Sequence, residues 1–258
     1  MSMPRVAQPK VAIVAALERE VWPLVRRWAS SEREHEGRKF KFFENEHAVL
    51  VCGGIGAEAA RRATEAVITL YRPEMVQSVG FAGALDPEWK VGAILVPSVV
   101  IDAQDGSRVE TGTGCGALVS IAAIASIEQK RKLAKAYGAQ AVDMEASAVA
   151  RGAQVRGIGF SAVKVIYDEI DFELPSMKQL VGSDGQFKTG KFVAFVAIRP
   201  WLWPRVIRLR KNSADSAKSL CLWLGQRSRI QLSSQGLEKI EKVESSEPEA
   251  HPIPGARV

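Results

Sequence analysis

Short apolar runs alternate along this chain with polar segments of helical period. Lys10 to Ala16 is a continuous apolar run, the pattern of a strand buried on both faces. Phe40 to Phe43 and Ala48 to Cys52 predict a hairpin pair after a polar turn. The turn Gly53-Gly54-Ile55-Gly56 follows, and Ala59, Ala63, Val67 and Leu70 then recur at helical spacing. Val76 to Gly80 predicts another buried strand, ending in Phe81-Ala82-Gly83-Ala84. Ala93 to Ile101 is apolar and β-branched but broken by Pro97, which predicts a strand with a bend. Asp102 to Gly116 reads as a polar, Gly-rich loop and Ala117 to Ile121 as a strand. Ile127 to Tyr137 is a highly charged helix, Gln140 to Asp143 a short strand, and Met144 to Val155 an Ala-rich helix. Phe160 to Ile166 predicts a buried strand with Tyr167-Asp168-Glu169 at its carboxyl end. Strands alternating with helices imply an α/β protein whose sheet is covered on both faces.

Beyond Leu174 the character changes. Lys188 to Leu224 predicts two helices broken near Pro200 to Pro204. From Gln226 the chain is polar, and Glu244 to Val258 has little to bury and is expected to be disordered. The expected organisation is an N-terminal extension at 1–9, one domain at 10–225 and a polar tail at 226–258. No internal repeat is visible.

Composition agrees with one sizeable core: 258 residues, 47% hydrophobic and 25% charged. The net charge of +6 is spread out except around Arg199 to Lys211. No zinc-finger, helix-turn-helix or RNA-binding signature accompanies it, so nucleic acid is not an expected partner. Cys52, Cys115 and Cys221 stand far apart, with no CxxC pair and no His cluster. That excludes an obvious metal site, implies no cofactor, and suits a reducing compartment. Cys52 lies in an apolar run and reads as an inert buried thiol. Arg5 and Lys10 precede the apolar Val11 to Leu17, but Glu18, Arg19 and Glu20 follow at once, so this reads as a strand and not a signal peptide. No apolar run approaches the ~20 residues that cross a bilayer. The expected location is cytoplasmic, with contact at the inner membrane face as its limit.

Four places carry candidate chemistry. Glu20 follows the first strand where a helix should begin; a solvated first-turn acid favoured by the helix dipole is the ordinary alternative, and Glu18 shares it. The Gly53 to Gly56 turn permits close backbone approach and offers free N–H groups at a helix start, yet lacks the GxGxxG spacing of a dinucleotide site. Val142-Asp143-Met144-Glu145-Ala146 delivers two acids from a strand into a helix. Helix capping accounts for Asp143, whereas Glu145 could accept hydrogen bonds from the diol of a ribose. Asp168 ends a strand, where it could cap a turn or, with its pKa raised by burial, donate a proton. Lys164, a charge inside an apolar strand, is either an edge residue or the partner of a nearby carboxylate.

In combination these segments resemble the purine nucleoside phosphorylase and methylthioadenosine/S-adenosylhomocysteine nucleosidase superfamily. The resemblance runs from Val11 to Asp168, through the blocks Val11 to Val21, Val51 to Ala60, Val79 to Val96 and Ala141 to Ala150. Asp143-Met144-Glu145-Ala146 is its most specific motif. It implies a three-layer α/β/α fold with a mixed, twisted central sheet of the phosphorylase/hydrolase type, and a homo-oligomer. It implies cleavage of the N-glycosidic bond of an adenosine-type purine nucleoside, by water or by phosphate. Glu20 then matches the acid that activates water and Asp168 the acid that protonates purine N7. Glu145 matches the acid that binds the ribose hydroxyls, and Met144 packs under the sugar. Asp143, Phe81, Ala82, Gly83, Gly54 and Lys164 complete the expected substrate contacts. Departures are also visible. Phe81 stands where many relatives carry a small polar residue, Tyr167 where Ser is common, and Lys164 where nucleosidases often have Arg. Ser120 to Ala125 lacks the usual base-stacking aromatic, and the loop at Asp102 to Gly116 is short.

The region Phe172 to Pro204, with Glu173-Leu174-Pro175, Gly182-Ser183-Asp184-Gly185 and Arg199-Pro200-Trp201, resembles the hopanoid-associated phosphorylases. That implies a lipid-linked nucleoside, an adenosylated triterpenoid, in place of a small one. Trp201 to Lys211 then has the composition of an interfacial helix at a membrane surface, its ordinary alternative being a core-facing helix with a basic solvent face. Glu20 argues for water as nucleophile, since a carboxylate repels phosphate; the subgroup resemblance argues for phosphate, and the choice stays open here. Two alternatives stand beside the lipid-nucleoside reading. One is a methylthioadenosine/adenosylhomocysteine nucleosidase. The other is a non-catalytic nucleoside-binding protein, against which the retained trio Glu20, Glu145 and Asp168 speaks.

Overall fold

The computed structural model describes residues 11–172 and 207–226. The expected N-terminal extension, the region 173–206 with Trp201 and Trp203, and the polar tail after residue 226 lie outside the described residues. The elements up to Cys221 belong to one compact unit; a second begins at Leu222, of which only 222–226 are described.

Among the described residues, eleven strands form one mixed sheet. β1 (Val11–Ala15) lies between β4 (Ala48–Cys52) and β5 (Met75–Ala84), parallel to both, as its unbroken apolar run requires. β3 (Arg38–Glu44) pairs antiparallel with β4, as expected, and also with β2 (Ala29–His35). β2 was not expected, because it is an exposed edge strand, polar along both faces. The far side carries β10 (Ala141–Asp143), β9 (Ala117–Ser120), β7 (Val99–Asp102) and β8 (Arg108–Glu110) in that order. The expected strand at Ala93 to Ile101 is split into β6 (Ile94–Leu95) and β7, and the expected loop after it contains β8. β11 (Gly159–Asp168) runs parallel to β5 and pairs antiparallel with β6.

Both faces of the sheet are covered. Adjacent residues alternate between two apolar clusters: Val100, Leu118, Ala141 and Ala84 belong to one, and Ile101, Val119, Val142 and Leu85 to the other. Period-2 alternation puts such neighbours on opposite faces. α2 (Ala57–Tyr71) and α4 (Ala146–Val155) contribute to the first cluster; Leu133, Ala134 and Tyr137 of α3 (Ile127–Tyr137) pack on the second. α1 (Glu18–Val25) follows β1, and α5 spans 207–226.

Candidate active site

The sheet branches at Gly83. β10 pairs antiparallel with the end of β5, opposing Val142 to Gly83, while β11 opposes Asp168 to the same glycine. This junction brings the 143–145 turn and the carboxyl end of β11 together beyond the end of β1. A cavity of about 150 Å³ opens there, lined among others by Glu20, Phe81, Ala82, Gly83, Met144, Glu145, Tyr167 and Asp168.

Asp168 reaches the cavity through an irregularity in β11. Lys164, Val165 and Ile166 face Gly80, Phe81 and Ala82 in turn, but a register shift then sets Asp168, not Tyr167, opposite Gly83. Regular alternation would have left Asp168 on the face of Lys164 and Ile166; one extra residue re-aims it. A Cβ on Gly83 would come within 3.2 Å of the Asp168 carboxylate, so the glycine leaves room for the acid. Tyr167, the extra residue, stacks on Phe81 with centroids 5.0 Å apart and planes 7° from parallel.

Glu20 sits in the first turn of α1, yet it is only 4% exposed, which removes the reading of a solvated helix-start acid. Its Oε2 is buried without a hydrogen-bond partner. Burial first, then the neighbouring Glu145 carboxylate, push its pKa up to about 8, against the pull of Lys164. Glu145 precedes α4 and uses one oxygen to accept from the Gly56 N–H (2.8 Å) and the other from the Met144 N–H (3.3 Å). Each carboxylate oxygen retains a lone pair for a hydroxyl. Burial and the adjacent Asp143 raise Glu145 to about 7.

Asp143 lines the cavity but is committed to the protein. It accepts from Ser120 Oγ at 2.5 Å and from the Ala146 N–H at 2.9 Å, and its Oδ2 lies 2.8 Å from Lys164 Nζ. Lys164 is no edge residue: it is 1% exposed, inside β11 between β5 and β6. Desolvation works against its charge, but Asp143, Glu145 and Glu20 outweigh that and hold its pKa above the usual lysine value. Three carboxylates therefore share one buried ammonium, and Glu20 and Glu145 remain undercompensated. Neither Lys164 nor Gly54 is among the cavity-lining residues; the turn contributes Ile55 to the lining and the Gly56 N–H to Glu145.

Lys130 was not singled out from the sequence. A capping box between Ser126 and Gln129 starts α3 and sets Lys130 one turn in, 1% exposed within an otherwise charged helix. It lines the cavity and ion-pairs with Asp168. Burial lifts the Asp168 pKa above the ordinary carboxylate range, and Lys130 opposes the rise. Cys52 is half-buried rather than sealed in the core, and desolvation pushes its thiol far up, in keeping with an inert group. No group of His, Cys, Asp and Glu among the described residues could hold a metal.

The family model of the phosphorylase superfamily matches residues 10–125, which include β1, the Glu20 turn and all of β5. Over that segment the chain is similar to the phosphorylase superfamily. It is 25% identical over 217 residues to a 5′-methylthioadenosine/S-adenosylhomocysteine nucleosidase of Staphylococcus aureus, covering 67% of this chain and 95% of that one. A Marinomonas nucleosidase of the same name is 30% identical over 95 residues, and there the match spans only 41% of the relative. The Helicobacter pylori nucleosidase of that name, crystallised with a pyrrolidine-based ligand, shares the fold with a TM-score of 0.62 at 18% identity, over 85% of this chain and 99% of that one. The mixed sheet with flanking helices described above is the fold shared with that solved structure. The match to hopanoid-associated members rests on residues outside the described part.

Proposed function

We propose that this chain is a nucleosidase that hydrolyses the N-glycosidic bond of an adenosine-type nucleoside. The observation that carries this reading is the buried, unpartnered Oε2 of Glu20 at the cavity. An orphan acceptor in that position suits a water molecule whose proton it removes as the water attacks the anomeric carbon. Glu145, across from it, suits the ribose hydroxyls and the positive charge that grows on the sugar ring. The Asp168–Lys130 pair suits the purine, which needs a proton to depart. Glu20, once ionised, sets a negative charge at the cavity, which disfavours a phosphate dianion as nucleophile. The nucleosidase names of the relatives support the same choice.

The sugar substituent is, in this reading, apolar and large. Leu17, Ile55, Phe81, Ile121, Ile124 and Tyr167 supply the greasy lining. An adenosylated hopanoid is the candidate that the sequence resemblance points to, and methylthioadenosine is the small alternative. The test is adenine release from methylthioadenosine and from a 5′-alkylthioadenosine of long chain. Faster release from the long-chain compound is expected; preference for methylthioadenosine would remove the lipid assignment, and release from neither would remove the nucleosidase reading.

A further inference from the structure

One face of α5 follows the carboxyl end of β11 almost residue by residue. Ser216, Asn212 and Arg208 stand four residues apart, one above another on that helix. Ser216 Oγ donates to the Ile166 carbonyl at 2.8 Å, Asn212 Nδ2 to the Tyr167 carbonyl at 3.0 Å, and Arg208 to the Glu169 carboxylate at 3.3 Å. Between them they skip Asp168, the residue that the register shift sets opposite Gly83. Ser216 and Asn212 are polar and yet buried, at 0% and 7% exposed. The bulge accounts for them. Its extra residue drops out of the ladder, so the carbonyl of that residue needs a donor from elsewhere. Asn212 is that donor for Tyr167, whose ring is meanwhile stacked on Phe81. The preceding carbonyl, of Ile166, is held twice, by the Gly92 N–H at 2.9 Å and by Ser216.

Resting on the nucleosidase reading, we propose that Asn212 is a positioning residue for the general acid: its grip on the Tyr167 carbonyl fixes the bulge, and the bulge sets where Asp168 presents its carboxyl group to purine N7. Two anchors then bracket the acid. Lys130 of α3 holds the side-chain end, bonding to Asp168 Oδ2 and to the Glu169 carbonyl at 2.7 Å. Asn212 of α5 holds the backbone just before it. The carbonyl of Tyr167 and the N–H of Asp168 belong to one rigid peptide plane. Without Asn212 that carbonyl turns toward another donor, the plane turns with it, and the Cα–Cβ bond of Asp168 swings. Glu20 stands on α1, after a different strand, and keeps its place.

The acid matters only to a leaving group that needs a proton, which separates aim from general support. Wild type, Asn212→Leu and Asn212→Ala are compared on 5′-methylthioadenosine and on the 4-nitrophenyl glycoside of the same sugar, with thermal melts to check that each is folded. Leucine leaves the carbonyl without a donor; alanine leaves space for a water to supply one. Asn212→Leu is expected to lose about 10²-fold in kcat on the adenine nucleoside, the cost of a reacting group set about 1 Å off, with KM within about threefold. Asn212→Ala is expected to lose about tenfold. Both are expected to lie within about threefold of wild type on the nitrophenyl glycoside, whose phenolate departs unprotonated. Equal losses on the two substrates would make Asn212 a structural staple, and wild-type adenine release by both variants would free Asp168 of it; either overturns the proposal. If Asn212→Leu fails to fold, the two rates of Asn212→Ala decide in the same way. A wild type that cleaves the nitrophenyl glycoside but no adenine nucleoside also overturns it, whereas one that cleaves neither fails at the nucleosidase reading itself, and the proposal falls with it.

Discussion

A Cβ on Gly80 would stand 2.7 Å from Oε2 of Glu20, closer than real side chains approach. The glycine, with φ of +152°, is what lets β5 pass beneath the acid. Gly80→Ala is expected to displace Glu20 and to strain the strand. Displacement of a reacting group by about 1 Å costs on the order of 10²-fold in rate, and strain of this kind about 1–3 kcal/mol. A steady-state assay beside a urea titration checks both; an alanine variant with wild-type kcat would contradict the placement.

Glu20→Gln removes the base but keeps the shape. The expected loss is about 10²–10⁴-fold in kcat with little change in KM, the range for a positioned proton acceptor. The same variant bears on stability. Burial raises Glu20 to about 8 and Glu145 to about 7 in the folded protein, against an ordinary glutamate value of 4.5. The folded state thus binds more protons than the unfolded chain between these limits. Their contribution is fully present below pH 4.5 and is lost as pH rises through 7 to 8. The ligand-free enzyme should melt at a lower temperature at pH 8.5 than at pH 5.5, and Glu20→Gln should flatten that slope. Thermal melts across pH decide it; a wild type more stable at pH 8.5 would be the contrary result.

Catalysis should run the other way. The free enzyme needs ionised Glu20, so kcat/KM is expected to climb with pH through the region of 7 to 8. The neighbouring Glu145 carboxylate helps to raise Glu20, so the position of the limb depends on both groups. A profile flat from pH 6 to 9 would exclude Glu20 as the base.

Much of this architecture is legible in the chain because buried parallel strands are written as unbroken apolar runs. β1 and β4 are of that kind, β11 is one apart from Ser161 and Lys164, and α2 carries a clean helical period. β2 is not legible, since an exposed edge strand is held by its backbone pairing with β3 and needs no apolar face. The site divides in the same way. Glu20, Glu145 and Asp168 stand at strand ends, where a sheet of this class places ligands. Lys130 escapes notice because its helix is charged throughout, and one buried lysine looks like its solvated neighbours. The shift that aims Asp168 at Gly83 depends on pairing between β11 and β5, which a single segment cannot disclose.

Lys164 and Asp143 form a pair in which both side chains are essentially buried. Breaking such a pair from one side costs about 3–5 kcal/mol, because a buried charge is left without its partner. Lys164→Met is expected in that range. Adding Asp143→Asn should recover part of the loss, with a coupling measurable in a double-mutant cycle. Additive losses would show that the two do not interact.

Hydrolysis is the centre of the account, and isotopic water reads it directly. The enzyme is incubated with a 5′-substituted adenosine in ¹⁸O-labelled water, with and without inorganic phosphate, and the sugar product is weighed by mass spectrometry. One ¹⁸O at the anomeric hydroxyl, at a rate indifferent to phosphate, is the predicted result. An unlabelled sugar phosphate formed only when phosphate is present would contradict it.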